Sequence, residues 1–480
     1  MMFGKSRIAM RTLLVIVFVA LSTGNSIAGS VPGQAVVSVA VGTDVRQLAN
    51  DFSVGIIDSI PNRQVYLLRF SDTLNANNVV QSLDADSRVD GASLNVLYAL
   101  PRGGQVSIGF PDNGLSVFAA QATPSKFYEQ QTTLRVGLDS AHLFSTGAGV
   151  TVAVIDNGLD LSHPLFGTVT VCPAPNFLAL ADASASDSGA MYGHGTLLGG
   201  LILLAAPNCA LMPLTAFDGN GIGNEFAIAR AIYWAIDHKA RVVNMSFSAP
   251  FVTALLQQAI KDAAIAGLLL VAAVGNDASQ ALQYPAAYPG VIAVSAIDST
   301  ESIASFSNSG PFVDLCAPGV NLYSSWAGPY RWGTCTGTSF STALVSGAAA
   351  LVLAARPDLS APGASDDLLR SARPKLKWGT IRAISPLYGY GALDAFCAVH
   401  SVRRGDLDNS GRLDVLDLVA LQNIVFTQNA EQSAGAANNE ISAKVRILAD
   451  VNCDGRVDEA DVAMMTTILY QNVLLSIPCR

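Results

Sequence analysis

Charge is scarce in this chain of 480 residues. Only 14% of the residues are Asp, Glu, Lys or Arg, whereas half are hydrophobic. That balance excludes a disordered protein and supports a large buried core. Basic residues are also outnumbered, 28 against 37 acidic ones, which leaves a net charge of −9. Because a protein that neutralises phosphates needs a basic surface, we expect no nucleic-acid partner.

Cys-x-x-Cys pairs and long apolar runs are missing as well. The seven cysteines have no spacing typical of a zinc site. The apolar run at Leu13–Leu21 is far shorter than the roughly 20 residues that cross a bilayer. It follows basic residues and precedes Ser26-Ile27-Ala28, a pattern typical of a cleaved signal peptide over residues 1–28. We therefore expect a secreted protein with no transmembrane segment in its mature form.

Histidine occurs five times, and four of the copies stand in ordinary turn or helix contexts. His194 differs, because glycines flank it in the segment Gly-His-Gly-Thr (193–196) and an apolar helix follows. Flanking glycines let another group approach the ring closely. An imidazole there can act as the general base for a serine hydroxyl.

Three other segments supply partners for such a base. Asp156 follows an apolar strand at 149–155, where a carboxylate can fix the histidine tautomer. Ser339 lies in Gly-Thr-Ser before a run of small and apolar residues, which predicts a serine at a helix N-terminus. Asn276 ends another apolar strand, where its amide can donate to an oxyanion. Each segment alone is more often a simple turn, so only the combination predicts a catalytic site.

Two regions of alternating elements precede the carboxyl terminus. Residues 34–100 have the pattern β-α-β-β-α-β, which is the split βαβ, ferredoxin-like plan. Residues 101–128 are typical of a connector that can be cut. From about 130 to 400, continuous apolar strands alternate with helices, which predicts an α/β domain with a mostly parallel sheet.

Together these motifs resemble the subtilisin-like serine proteases (peptidase S8 family) over about 130–400. The order Asp, His, Ser is that of this family. The resemblance implies that Ser339 is the nucleophile, His194 the general base and Asp156 the residue that orients it. It further implies an oxyanion hole at Asn276 and no cofactor for catalysis. The implied substrate-binding residues are Ser246, Phe247, Ser248, Ala273, Val274 and Gly275.

Several residues depart from the family pattern. Phe340-Ser341-Thr342-Ala343 stands where Met-Ala-x-Pro is usual, Asn157 where Thr or Ser is common, and Ser248 where Gly is usual. Since the triad and Asn276 are present, the sequence predicts an active serine endopeptidase with unusual specificity. The alternative is a catalytically degenerate scaffold that only binds peptides. A general esterase is disfavoured, because the strand 246–248 suits a peptide backbone.

The resemblance also assigns a role to the amino-terminal region. Subtilisin-like enzymes often carry an inhibitory prodomain of this α/β plan. The expected organisation is therefore a propeptide with its connector at 29–128, cut within 101–128, and a catalytic domain at 129–400.

Two twelve-residue segments near the carboxyl terminus repeat one pattern of oxygen-bearing side chains. Such residues stand at positions 1, 3, 5, 9 and 12, with glycine at position 6 and a backbone carbonyl available at position 7. This spacing wraps hard oxygen ligands around one Ca²⁺ ion, so we expect two calcium sites. The first set is Asp406, Asp408, Ser410, Arg412, Asp414 and Asp417. The second set is Asp450, Asn452, Asp454, Arg456, Asp458 and Asp461.

Aspartate at position 12, and a helix only after each loop, resemble dockerin modules more than paired EF-hands. The resemblance implies a small α-helical calcium-binding module at 402–480 that docks to a cohesin-like protein and would tether the protease to a partner or a cell surface. The spacer at 418–449 is longer than is usual in that family, so calcium binding follows more directly than docking. Acidic surface turns are the alternative, which the repetition disfavours.

Overall fold

The computed structural model describes residues 29–101, 124–178, 189–328, 331–373, 385, 387–400, 407, 414–434, 445, 449, 451 and 456–476. The predicted signal peptide and residues 102–123 of the connector lie outside the described residues. We call 29–101 the amino-terminal unit, 124–400 the central region and 407–476 the carboxyl-terminal unit.

The amino-terminal unit has the predicted element order. Its elements are β1 (Ser30–Val39), α1 (Val45–Asp51), β2 (Gly55–Ile60), β3 (Val65–Arg69), α2 (Ala76–Asp84) and β4 (Val89–Ala99). Asp44 and Asn75 cap the two helices by accepting hydrogen bonds from N–H groups of the first turn. Strands pair antiparallel in the order β2-β3-β1-β4.

The central region contains nine strands and nine α-helices within its described residues. The strands are β5 (Thr151–Asp156), β6 (Ala210–Thr215), β7 (Ile222–Asn224), β8 (Val242–Met245), β9 (Leu269–Ala273), β10 (Val291–Ile297), β11 (Leu315–Pro318), β12 (Leu322–Ser325) and β13 (Trp332–Cys335). The helices are α3 (Pro124–Tyr128), α4 (Gln131–Arg135), α5 (Leu138–Ala141), α6 (His194–Ala205), α7 (Glu225–Asp237), α8 (Ala254–Ile265), α9 (Thr338–Ala355), α10 (Ala361–Arg370) and α11 (Ala395–His400). A 3₁₀ helix covers Pro164–Phe166.

Six of these strands form a parallel sheet in the order β11-β10-β9-β8-β5-β6. Alternate residues of β5 face opposite sides: Val152 and Val154 pack with α6 and α9, whereas Ala153 and Ile155 pack with α7 and α8. Burial on both faces explains why the strands are continuous apolar runs. The prediction of an α/β domain with a mostly parallel sheet is confirmed.

Helix α9 is buried for most of its length in the core of this region. Among the described residues it is the one helix long and apolar enough to span a membrane, with 89% of it buried in the protein. Its small residues permit that packing: a Cβ on Gly347 would lie 2.5 Å from the Ala205 side chain of α6. The Gly- and Ala-rich composition thus serves close contact between α6 and α9.

The carboxyl-terminal unit contributes two long helices, α12 (Val415–Ala434) and α13 (Glu459–Ser476). They pack on each other through a small apolar cluster that includes Leu421, Val425, Met465 and Leu469. The helices expected after the repeated loops are present.

Candidate active site

The buried end of β5 brings a carboxylate to the first residue of α6. His194 Nδ1 donates to both oxygens of Asp156, at 3.0 Å from Oδ1 and 2.9 Å from Oδ2. Asp156 is fully buried and His194 is 3% exposed. A buried carboxylate that accepts from Nδ1–H fixes the tautomer and leaves Nε2 unprotonated, as a general base requires.

Glycines on either side of His194 permit this approach. A Cβ on Gly195 would lie 2.2 Å from the carbonyl oxygen of Gly158 and 3.1 Å from Asp156 Oδ1. Gly193 adopts the left-handed conformation, with φ of 79°, where it precedes the helix. Both glycines are thus required by the geometry of the Asp156–His194 pair.

Asn157 connects the same two segments from the side. Its Oδ1 accepts from the Gly195 N–H at 3.0 Å, and its Nδ2 donates to the Met191 carbonyl at 2.6 Å. The sequence marked Asn157 only as a departure from the family pattern, because an asparagine in a turn carries no signal of a long-range contact.

Ser339 is the second residue of α9 and is 1% exposed. Its Oγ donates to the carbonyl oxygen of Ser246 at 3.3 Å, and the described residues show no hydrogen bond between Ser339 and His194. Phe340, the residue that follows Ser339, contacts His194, with 5.3 Å between the ring centroids.

Asn276 faces the start of α9. Its Oδ1 accepts from the N–H of Thr338 at 3.0 Å and from the Thr338 hydroxyl at 2.9 Å. These bonds orient the amide, so that Nδ2 points to the carbonyl oxygen of Pro101, 3.5 Å away. The side chain is therefore held with a donor available for an incoming oxygen.

The six predicted substrate-binding residues divide into two groups. Ser248 and Gly275 lie beside each other, since a Cβ on Gly275 would be 3.0 Å from Ser248 Oγ. The other four are fully buried: Ser246, Phe247, Ala273 and Val274. Among them, Ser246 contacts the nucleophile candidate: its hydroxyl donates to the backbone carbonyl of Ser339 at 3.1 Å.

An extended segment of the amino-terminal unit crosses this site. The end of β4 pairs antiparallel with β7, with Leu97 opposite Asn224 and Ala99 opposite Ile222. On its other side, Ala99 forms an antiparallel bridge with Ser248. Residues 97–101 therefore lie as a middle strand and end with the Pro101 carbonyl at Asn276.

Comparison with known proteins identifies this arrangement. A model of the subtilase family matches residues 147–391, and a model of the dockerin type I domain matches residues 404–469. The chain belongs to the subtilase family. It is thus a serine-type endopeptidase by family, and the resemblance noted in its motifs is confirmed.

Two curated relatives of this subtilase are alkaline proteases. The thermostable alkaline protease of Halalkalibacterium halodurans is 37% identical over 220 residues, which are 44% of this chain and 58% of that protein. The alkaline protease of Alkalihalobacillus alcalophilus is 31% identical over 360 residues, 70% of this chain and 89% of that protein.

A solved structure shares the fold of the subtilase. It is fervidolysin from Fervidobacterium pennivorans, described as a keratinolytic enzyme related to subtilisin. The TM-score is 0.63 with 21% identity, over 77% of this chain and 61% of that chain.

The dockerin-like repeats of the subtilase share one local geometry. Asp414 and Asp458 each accept at Oδ1 from the N–H two residues ahead, at 2.8 Å. Asp417 and Asp461 are fully buried and accept from the N–H groups of Asp414 and Asp458 at 3.0 and 2.9 Å. Each pair is thus a reciprocal capping box at the start of α12 or α13.

The subtilase and dockerin families both bind calcium, and the repeats offer the hard oxygen ligands that Ca²⁺ prefers. Within the described residues no group of three or more His, Cys, Asp or Glu side chains is close enough to hold a metal. Arg456 is described and exposed. The other predicted ligands lie outside the described residues: Asp406, Asp408, Ser410, Arg412, Asp450, Asn452 and Asp454.

Proposed function

We propose that the chain is the secreted precursor of a serine endopeptidase whose first substrate is its own connector. The observation that carries the proposal is the strand 97–101, which crosses the site as an extended peptide and presents the Pro101 carbonyl to Asn276. An extended substrate that pairs with strands on both sides is the usual mode of β-type recognition.

The proposed reaction follows from the side chains around that carbonyl. Ser339 Oγ attacks the carbonyl carbon while its proton moves to His194 Nε2, and Asp156 stabilises the resulting imidazolium. Asn276 Nδ2 and the Ser339 N–H donate to the oxygen as it becomes negative. His194 then gives the proton to the leaving amine as the C–N bond breaks, and water hydrolyses the acyl-enzyme by the same proton path.

The bond proposed for this first cleavage is the one between Pro101 and Arg102, within the predicted connector. Residues 29–101 would then form the prodomain. Its last residues would remain bound in the position of the substrate after the cleavage. A buried Asn95 supports that complex, because its Oδ1 accepts from the Phe226 N–H at 3.1 Å and its Nδ2 donates to Gln34 at 2.8 Å.

Substitution of the nucleophile tests the proposal. A Ser339→Ala chain should fold, since the change removes one hydroxyl, and should accumulate uncut at the connector. Electrophoresis and intact mass of the purified protein report the cut, and Ser299→Ala, at an exposed serine, is the control that should mature normally. Normal processing of Ser339→Ala would rule out self-cleavage.

One observation favours the alternative of a degenerate scaffold that only binds peptides, namely the bond from Ser339 to Ser246 instead of His194. Labelling of the mature protein with a serine-directed fluorophosphonate separates the two. The endopeptidase requires labelling that disappears in Ser339→Ala.

The carboxyl-terminal unit is proposed to bind two calcium ions and to tether the protease outside the cell. The repeated ligands listed above would hold the ions through oxygen atoms, and calcium would supply the charge balance for the acidic loops. A dockerin-like module implies a cohesin-like partner protein, which would place the secreted enzyme at a surface or in an assembly.

A further inference from the structure

Tyr98 of the substrate-like strand is buried in the central region. Its side chain is 1% exposed, although it belongs to the amino-terminal unit. The ring contacts Phe247 edge-on, with 6.1 Å between centroids, and Phe251 at 5.3 Å. Because Tyr98 stands three residues before Pro101, the pocket would receive the side chain three residues before the cleaved carbonyl.

The bottom of this pocket is polar. The Tyr98 hydroxyl lies 3.2 Å from Oγ1 of Thr253, the residue that precedes α8. Behind Thr253 is the side chain of Glu225, the first residue of α7, which is fully buried. A second phenol, that of Tyr288, also faces Thr253, and its hydroxyl lacks a hydrogen bond among the described residues.

A buried glutamate at position 225 lowers the stability of the fold. Among the described residues, no donor forms a hydrogen bond of good geometry with either oxygen of the carboxylate. The Thr253 hydroxyl and the N–H groups of Leu255 and Leu256 lie near it and favour the ionised form, but burial outweighs them and raises the pKa of Glu225 to about 7. An apolar side chain would fill the space without this cost, so packing does not explain the glutamate.

A tyrosine side chain in the pocket extends the hydrogen bonding of Glu225 through Thr253. The threonine hydroxyl can donate its one hydrogen to the Glu225 carboxylate while the phenol donates to Thr253 Oγ1, and the second bond strengthens the first. Phenylalanine would fill the same apolar walls but would leave Thr253 Oγ1 without that donor. Such a site rejects the analogue that lacks the hydroxyl.

We propose that Thr253 and Glu225 make this pocket select tyrosine over phenylalanine in protein substrates, three residues before the residue that acylates Ser339. The inference rests on the proposed function and adds the substrate class. A purely structural role, in which Glu225 only caps α8, would leave the choice of substrate side chain unaffected.

The selection should depend on pH in one direction. Below about pH 7 the Glu225 carboxyl is neutral, so a phenylalanine side chain in the pocket costs little. Above that pH the carboxylate is charged and needs a hydrogen-bond donor. The titratable groups that face it are the phenols of Tyr98 on β4 and Tyr288, and burial raises the pKa of both, so they remain neutral. The preference for tyrosine should therefore increase as the pH rises from 6 to 8.

Two internally quenched peptides test the proposal on the mature enzyme. One has the chain's own sequence 96–106 (Val-Leu-Tyr-Ala-Leu-Pro-Arg-Gly-Gly-Gln-Val), and the other carries phenylalanine in place of the tyrosine. The ratio of the two kcat/KM values is measured from pH 6 to 8, so that titration of the triad cancels. We expect a ratio of about tenfold or more in favour of tyrosine, increasing with pH.

Three variants separate the roles of the pocket residues. Thr253→Val, which keeps the side-chain shape, should bring the ratio to within about twofold of one. Glu225→Gln should keep the size and abolish the pH dependence of the ratio. Glu129→Gln, at an exposed glutamate, should change neither. Equal cleavage of the two peptides by the unmodified enzyme, or a ratio unchanged in Thr253→Val, would overturn the proposal.

A double-mutant cycle in the uncut Ser339→Ala precursor gives a readout that needs no activity. Tyr98→Phe should lower the melting temperature of the precursor, and should lower it much less when Thr253→Val is already present. If neither peptide is cleaved, the proposed function fails, and additive effects in this cycle would then reject the tyrosine pocket independently.

Discussion

Asn157 is the residue whose role is clearest from its contacts and least visible in the sequence. By bonding Gly195 on one side and Met191 on the other, it ties the turn after Asp156 to the start of α6. Asp156, His194, Ser339 and Asn276 were all predicted, because each stands in a motif whose neighbours carry the signal. Asn157 had no such signal, since only the folded chain shows what its amide contacts.

Removal of this amide should therefore impair catalysis more than folding. For Asn157→Ala we expect kcat to fall by roughly tenfold, the loss that corresponds to one or two hydrogen bonds that orient the base. Steady-state kinetics on a peptide substrate measure the change. Asn208→Ala, at an exposed asparagine, serves as the control, and a wild-type kcat in Asn157→Ala would contradict this role.

Among the secondary-structure elements, the starts of helices and the short strands determine how the predicted helices and strands pack on one another. The long apolar strands and helices were predictable, because burial on both faces leaves continuous hydrophobic runs. β7 was not, since three residues, Ile222–Asn224, carry no periodicity. That strand nevertheless fixes the position of β4 across the site, so the substrate-like pairing became visible only in the structure.

The repeated capping boxes connect the calcium loops to α12 and α13. Asp417→Ala should loosen the first turn of α12, and Asp461→Ala that of α13, by about 1 kcal/mol each. Amide exchange at the affected helix start should therefore become about fivefold faster. Hydrogen-exchange mass spectrometry of the full chain measures both helices, so each variant is the control for the other.

Calcium should slow exchange in both helices of the unmodified protein, because ligands in each loop adjoin a capping box. The same mass spectrometry with calcium and with a chelator tests the two sites. Identical exchange in the two conditions would contradict calcium binding by this unit.

For the molecule as a whole, the central feature is the amino-terminal unit bound to the enzyme through its own substrate-like strand. Ion pairs join the two, with Arg63 bonded to Asp237 at 2.7 Å and Arg230 paired with Asp58. Partly exposed pairs contribute little, whereas the buried Asn95 and Tyr98 provide specific contacts. The sequence indicated an inhibitory prodomain only through family resemblance, because no local pattern shows which strand reaches the site.

The fragment released when the precursor matures tests this account most directly. Its carboxyl terminus, determined by mass spectrometry of the fragment, should be Pro101, since that carbonyl lies at Asn276, which accepts from the N–H of the residue before Ser339. A fragment that ends at Pro101 and is absent from Ser339→Ala would support self-cleavage at the observed strand. A fragment that ends at another residue, or that forms equally without the Ser339 hydroxyl, would contradict it.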